Sequence, residues 1–414
     1  MAHRRINVIL MDMSHEYTTS GVDRYMDVLV AGLAVQPEVC LVWLHLVDNQ
    51  DFIAHRVEVY EGYTKVIYPL PVQYEEIILE RYWIDQYNRE IYRLAKPILC
   101  GFSPCIIHLH TLNLISLATC LRNYLGGKII THLHCIPWKG YLNSNPRRFS
   151  ELYHKYYLSR CKIDPKMFFT HPGELESYTE VDHIICVTRC ARVFLERVSR
   201  PKTPPISIIN NGLMDKKISY SNVSRFESNV FHLLYVGVVN PSKGLDYILQ
   251  AMLLVQKLGY NLKLSVAGDI AYLERNRIRA SYPNLQVDLL GCISFQELCT
   301  LYQRVDCGVI ASLQEQCSYV AIEMCMFGLP IITTAVDGLD EIFTHELNAL
   351  KVKTRFSRPL GLCVDVENLA GQIICLAKDA ALRKQLGDNA RQLYLANFSV
   401  EQMIQQTLSI YLTI

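Results

Sequence analysis

The amino-acid sequence predicts an α/β protein with two doubly wound, parallel-sheet domains. Three observations carry that expectation. Short β-rich runs alternate with helical patterns, and strands separated by helices form parallel sheets covered on both faces. The alternation stops once, at the proline-rich stretch RPKTPP that closes at Pro205, and then resumes. With 414 residues, 50% of them hydrophobic, the chain can bury two sizeable cores.

Before the interruption, strands are expected at Asn7–Met11, Val39–Val47, Val66–Tyr68, Ile106–His110, Lys128–His134 and His183–Thr188. Helical patterns cover Gly21–Ala34, Glu75–Leu99, Leu114–Tyr124 and Arg189–Val198. After it, strands are expected at Ile206–Ile209, His232–Val236, Lys263–Ala267, Gln286–Leu290, Cys307–Ala311 and Pro330–Thr334. The later helices are Gly244–Lys257, Tyr272–Ala280, Phe295–Arg304, Ser318–Phe327, Gly338–Phe343, Val366–Lys378 and Ala380–Asn397. This gives domains at residues 1–202 and 203–395, with a terminal helix at 396–414. Open parallel sheets bind ligands beyond the carboxyl ends of their strands, so two facing domains would make a cleft for two substrates.

The formal net charge of +1 offers no general basic field for nucleic acid. One local basic stretch, Lys139, Arg147, Arg148, Lys155, Arg160, Lys162 and Lys166, is interleaved with tyrosines and reads first as a solvated face. Fifteen cysteines without a Cys-x-x-Cys pair suggest reduced thiols in a cytoplasmic protein. Ile6–Met11 is too short for a signal segment, and no stretch reaches the roughly 20 apolar residues of a membrane span.

The chemistry concentrates in SLQEQCSYVAIE, Ser312 to Glu323. Ser318 is a good N-cap, and Tyr319 and Val320 begin an apolar helix. Helix starts carry unpaired N–H groups and a partial positive charge, which suits a diphosphate. Glu315 lies in the loop before the helix and Glu323 just over one turn inside it, so two carboxylates flank that position and can each accept hydrogen bonds from sugar diols. Lys243-Gly244, six residues after the strand-end Gly237, can offset phosphate charge and allow close approach of the chain. No Gly-x-Gly-x-x-Gly or Walker loop is present, which argues against nicotinamide dehydrogenases and phosphate-loop ATPases. His108 and His110, and likewise His132 and His134, share a face of their strands, but no carboxylate or Cys accompanies either pair at ligand spacing. A hydrogen-bonding role outweighs metal binding there, with His134 the best placed and no metal ligand assigned.

Together these segments resemble the retaining glycosyltransferases of family four, which have the two-domain GT-B fold. The resemblance is strongest from Leu234 to Phe343, in LLYVGVVNPSKGLDYILQAM, LKLSVAGD and the Glu315–Glu323 signature. It extends to SGVDRYMDVLVAGL, ITHLHCIPW, VDHIICVTRCARVFL and IINNG in the first half, and to NFSVEQMIQQTLSIYL, similar to the family's helix that crosses back to the first domain. It implies that Glu323 holds the ribose, Glu315 the donor sugar and Lys243 the diphosphate, with phosphate-binding amides at Ser318, Tyr319 and Val320. His134 would contact the donor sugar near the reacting carbon, Gly21 and Gly237 would line the diphosphate, and Ile293 the base. Departures are Val238 where the family usually has an arginine, Ser20 for a first glycine, and Gln316-Cys317-Ser318 for glycine-aromatic-glycine.

The implied function is transfer of a sugar, with retention, from a UDP- or GDP-linked donor to a hydroxyl of a glycan, lipid-linked or peptide acceptor. It needs no protein nucleophile, no metal and no other cofactor. The partners implied are the nucleotide sugar, an unidentified acceptor and an anionic membrane surface on its cytoplasmic face, met peripherally through the basic stretch; nucleic acid is not among them. The alternatives are a catalytically silent GT-B binding protein and a nucleotide-sugar epimerase or phosphorylase of the same architecture.

Overall fold

The computed structural model describes residues 5–15, 21–48, 54–70, 81–135, 177–198, 204–217, 229–357 and 361–414. The chain forms two compact units. The first draws its described residues from Met1–Cys135, Pro165–Gly212 and Val400–Ile414, and the second from Leu213–Ser399.

The first unit runs β1 (Ile6–His15), α1 (Gly21–Ala34), β2 (Val39–Asp48), β3 (Arg56–Tyr60), β4 (Tyr63–Pro69), α2 (Arg81–Ala95), β5 (Cys105–Leu109), α3 (Ile115–Leu125), β6 (Gly127–Leu133), β7 (His183–Cys186), α4 (Arg189–Val198) and β8 (Ile206–Ile208). Its eight strands lie in the order β3-β4-β2-β1-β5-β6-β7-β8, parallel except for the β3–β4 pair. Each of β5's residues is buried, as the centre of a parallel sheet covered on both faces requires.

The second unit runs β9 (Phe231–Val236), α5 (Leu245–Lys257), β10 (Leu262–Ala267), α6 (Tyr272–Ser281), β11 (Gln286–Gly291), α7 (Phe295–Arg304), β12 (Cys307–Ile310), α8 (Tyr319–Phe327), β13 (Ile331–Thr334), α9 (Asp337–Ile342), β14 (Leu350–Val352), the hairpin β15 (Thr354–Ser357) and β16 (Gly361–Val364), α10 (Val366–Lys378) and α11 (Ala380–Asn397). The sheet order is β11-β10-β9-β12-β13-β14, all parallel. Leu233, Leu264, Val309 and Ile332 from its strands pack with Ile248, Met252 and Ile373 from α5 and α10. The last helix, α12 (Val400–Thr413), belongs to the first unit. It lies close against α1 because Gly32 has no side chain: a Cβ there would sit 2.5 Å from Ile404 Cδ1.

Several expectations are revised. Ile206–Ile208 does not open the second sheet; it pairs with β7 as the edge of the first. Arg56–Tyr60 is an additional, antiparallel edge strand, largely exposed. The front of the expected Glu75–Leu99 helix, the basic Lys139–Lys166 stretch, Ser20 and Pro201 lie outside the described residues.

Candidate functional site

In the second unit, strand order reverses between β9 and β12, so the chains leaving these neighbours run to opposite sides and open a crevice. Lys243 follows β9 and Glu315 follows β12, at that position. Asn240 caps a 3-10 turn, Pro241–Lys243, its side chain accepting from the Lys243 amide at 3.1 Å. Gly244 then takes a left-handed φ of 74°, where a Cβ would meet the Ala311 carbonyl oxygen at 2.0 Å. Glycine therefore lets the two loops touch, and the Leu313 amide donates to the Ser242 carbonyl at 2.8 Å.

The result is an ion pair, Lys243 Nζ to Glu315 Oε1 at 2.5 Å, with the two side chains 35% and 15% exposed. Ser312 Oγ donates to the same carboxylate oxygen at 3.1 Å. The Glu315 carbonyl accepts from the Gly338 amide at 2.9 Å, and a Cβ on Gly338 would lie 1.8 Å from the Gln316 carbonyl oxygen. The loop is thus held between the start of α5 and the start of α9.

Ser318 caps α8, accepting from the Ala321 amide at 3.4 Å. All of Tyr319–Phe327 is buried except Val320, so α8 is a central helix whose amino end carries Tyr319 and Val320 beside Glu315. Glu323 is 1% exposed and accepts from Tyr302 OH at 2.6 Å. Gly237 has a φ of 141° and Gly268 one of 140°, and a Cβ on Gly268 would lie 2.1 Å from the Gly237 carbonyl oxygen. Ile293, partly exposed, lies between β11 and α7. Val238, at the departure from the family's arginine, is 48% exposed.

The other expected residues are in the first unit. Gly21 opens α1 and is exposed. His134, just beyond β6, is bonded through Nε2 to Nδ1 of His110 at 3.0 Å. His110 prolongs β5, its amide donating to the Met11 carbonyl at 2.9 Å. His108, His110 and His132 each bring a ring nitrogen within 4.8 Å of the other two, a grouping able to hold a metal ion. Burial, reinforced by the neighbouring imidazoles, pushes His108 down to about 3 and His110 and His132 well below the usual histidine range. Burial alone pushes His134 down to about 3.

Sequence reasoning missed a second polar set at the ends of β1 and β2. Asp12, 1% exposed, accepts from Trp43 Nε1 at 2.6 Å and pairs with His45 Nδ1 at 2.7 Å; His45 Nε2 meets Ser14 Oγ at 3.1 Å. Asp12 and His45 are partners in the β1–β2 register. Spacing along the chain carries no sign of it, because 33 residues separate the two.

Residues 217–393 match the family model of glycosyl transferases group 1. An uncharacterized glycosyltransferase of Methanocaldococcus jannaschii is 24% identical over 254 residues, covering 58% of this chain and 62% of that protein. Sucrose-phosphate synthase from Thermosynechococcus elongatus superposes with a TM-score of 0.73 at 20% identity over 98% of each chain. HepE from Anabaena, solved in complex with UDP and glucose, gives 0.65 at 14% identity over 99% of this chain and 100% of that one. The fold is therefore GT-B, with two Rossmann-like units, and the segment carrying Lys243, Glu315 and Glu323 is similar in sequence to the group 1 glycosyl transferases.

Proposed function

We propose that the protein is a retaining glycosyltransferase that moves a sugar from a UDP- or GDP-linked donor to an acceptor hydroxyl. The observation that carries this reading is the Lys243–Glu315 pair, set where strand order reverses and beside the amino end of α8. The donor diphosphate lies at that helix start, its charge met by first-turn amides at Ser318, Tyr319 and Val320 and by Lys243. Gly237 lets backbone approach it, Glu323 serves the ribose and Ile293 flanks the base. Glu315 turns from Lys243 to the donor sugar's hydroxyls.

Chemistry follows from charge. As the glycosidic bond to phosphate breaks, negative charge grows on the leaving diphosphate, and fixed donors stabilise it more than they stabilise the bound ground state. The acceptor attacks from the face that the diphosphate leaves, passing its proton to a phosphate oxygen. No protein nucleophile, metal or further cofactor takes part. The acceptor is a glycan, lipid-linked or peptide hydroxyl, and a lipid-linked acceptor would bring the enzyme to the cytoplasmic face of an anionic membrane. No described helix is long and apolar enough to cross one.

The test incubates the protein with nucleotide sugars and candidate acceptors and reads the product's anomeric configuration by NMR. A retained anomer with turnover lost in Glu315→Ala supports the proposal. An inverted anomer, or Glu315→Ala with native turnover, overturns it. A second reading, a silent GT-B protein that binds a nucleotide sugar, is favoured by exposed Val238 at a position where the family has a phosphate-binding arginine. It requires calorimetric donor binding without nucleotide release across all acceptors. An epimerase or phosphorylase would instead convert the donor alone or with free phosphate.

A further inference from the structure

We propose that His108, His110 and His132 form a transition-metal site in the first unit, with zinc(II) as its occupant, tying the ends of β5 and β6 to α1 and α12. The three residues are 0%, 5% and 3% exposed, and one nitrogen from each ring lies within 4.8 Å of the other two. Their Nε2 atoms are buried without any hydrogen-bond partner. Each Nδ1, by contrast, is engaged: His108 with Tyr411 OH at 2.7 Å, His110 with His134 Nε2 at 3.0 Å, and His132 with Tyr25 OH at 3.4 Å.

All three of those partners can accept a hydrogen bond. With Nδ1 carrying the proton in each ring, every Nε2 is left as a bare, buried lone pair. Unmet buried acceptors are costly, and native proteins rarely leave three of them together. A single water donates only two hydrogen bonds and leaves one nitrogen unmet, whereas a metal cation takes all three lone pairs. Imidazole donors select zinc and its first-row neighbours over magnesium or calcium. The engaged Nδ1 atoms also reproduce the outer shell of metal-bound histidines, whose second nitrogen donates to a group that fixes the tautomer.

Four-coordinate zinc takes nitrogens at about 2.0–2.1 Å, hence about 3.4 Å from one another. Ring rotations that bring the three Nε2 atoms to that separation complete a three-histidine site, with water in the fourth position. The ion is structural: Tyr25 anchors α1 and Tyr411 anchors α12 through its outer shell.

The test strips the full-length protein with a chelator, titrates it with cobalt(II) as an optical stand-in, and repeats the titration with zinc. The expected result is one saturable equivalent with the intense visible bands of four-coordinate cobalt, and a higher Tm than the stripped protein. His132→Gln abolishes the bands, and Tyr411→Phe, which removes one outer-shell oxygen, weakens binding by about 10–100-fold. No saturable binding, or binding unchanged in both variants when circular dichroism shows them folded, overturns the proposal. Should the variants not fold, X-ray absorption on the zinc-loaded native protein decides: three imidazole scatterers uphold the site and fewer overturn it.

Discussion

At the scale of single residues, the second unit's site depends on how strongly Lys243 and Glu315 hold each other. A pair with this much solvent contact contributes at most about 1 kcal/mol. Each charge-assisted hydrogen bond to a diphosphate contributes about 1.5–3 kcal/mol, so under the proposed function a donor would take Lys243 from Glu315. Lys243→Met is therefore expected to weaken donor binding by about 10-fold or more, a loss of at least about 1.4 kcal/mol, in calorimetry on a protein whose Tm is nearly native. Ser318→Ala removes the cap of α8 and should lower unfolding free energy by about 1 kcal/mol in urea titrations. The residue types were readable because an N-cap and a lysine-glycine step each announce a local role. The pairing was not, since Lys243 and Glu315 are 72 positions apart in sequence and only the β9–β12 neighbour relation joins them. Nor was the Glu323–Tyr302 hydrogen bond, which joins two helices.

At the scale of elements, glycines set how closely loops and helices approach. Gly244→Ala places a Cβ against the Ala311 carbonyl and strains a left-handed φ. It is expected to cost about 1–3 kcal/mol of stability and to weaken donor binding with it, because the same contact positions Lys243. Native donor affinity in a folded Gly244→Ala protein would contradict that link. Helices were read well where caps and stops are local: Gly21–Ala34, Val366–Lys378 and Ala380–Asn397 have the expected limits, the last two begun by Asp365 and Asp379 as N-caps. Ile206–Ile208 was misassigned because a proline-rich stretch normally marks a boundary, whereas here the chain adds one more parallel strand after it. Arg56–Tyr60 escaped notice because an exposed edge strand lacks the apolar run of a buried one.

For the whole molecule, the histidines of the first unit set its response to acid. His108 accepts its proton only near about 3 in the folded chain, against about 6.5 when unfolded. Between those values the unfolded chain binds more protons, so stability falls as pH drops below about 6.5, by about 1.4 kcal/mol per pH unit for each such histidine. Urea midpoints of the chelator-stripped protein should be lower at about pH 5 than at about pH 7, and an equal or higher midpoint would contradict the burial of these rings. The shared face of each His-Leu-His pair was readable from strand alternation, but their convergence depends on β5 lying beside β6. The two doubly wound, parallel-sheet domains were readable from alternation, because it repeats one local pattern, whereas GT-B came from the family resemblance. The site's chemistry was readable only in the second unit, where its residues follow their strands within a few positions. The central claim, that Lys243, Glu315 and the start of α8 form a nucleotide-sugar site serving transfer, is tested most directly by acceptor-dependent nucleotide release from a UDP- or GDP-sugar. The native protein should turn over while folded Glu315→Gln loses at least about 100-fold, or about 2.7 kcal/mol of transition-state stabilisation. Equal turnover by the two proteins would contradict it.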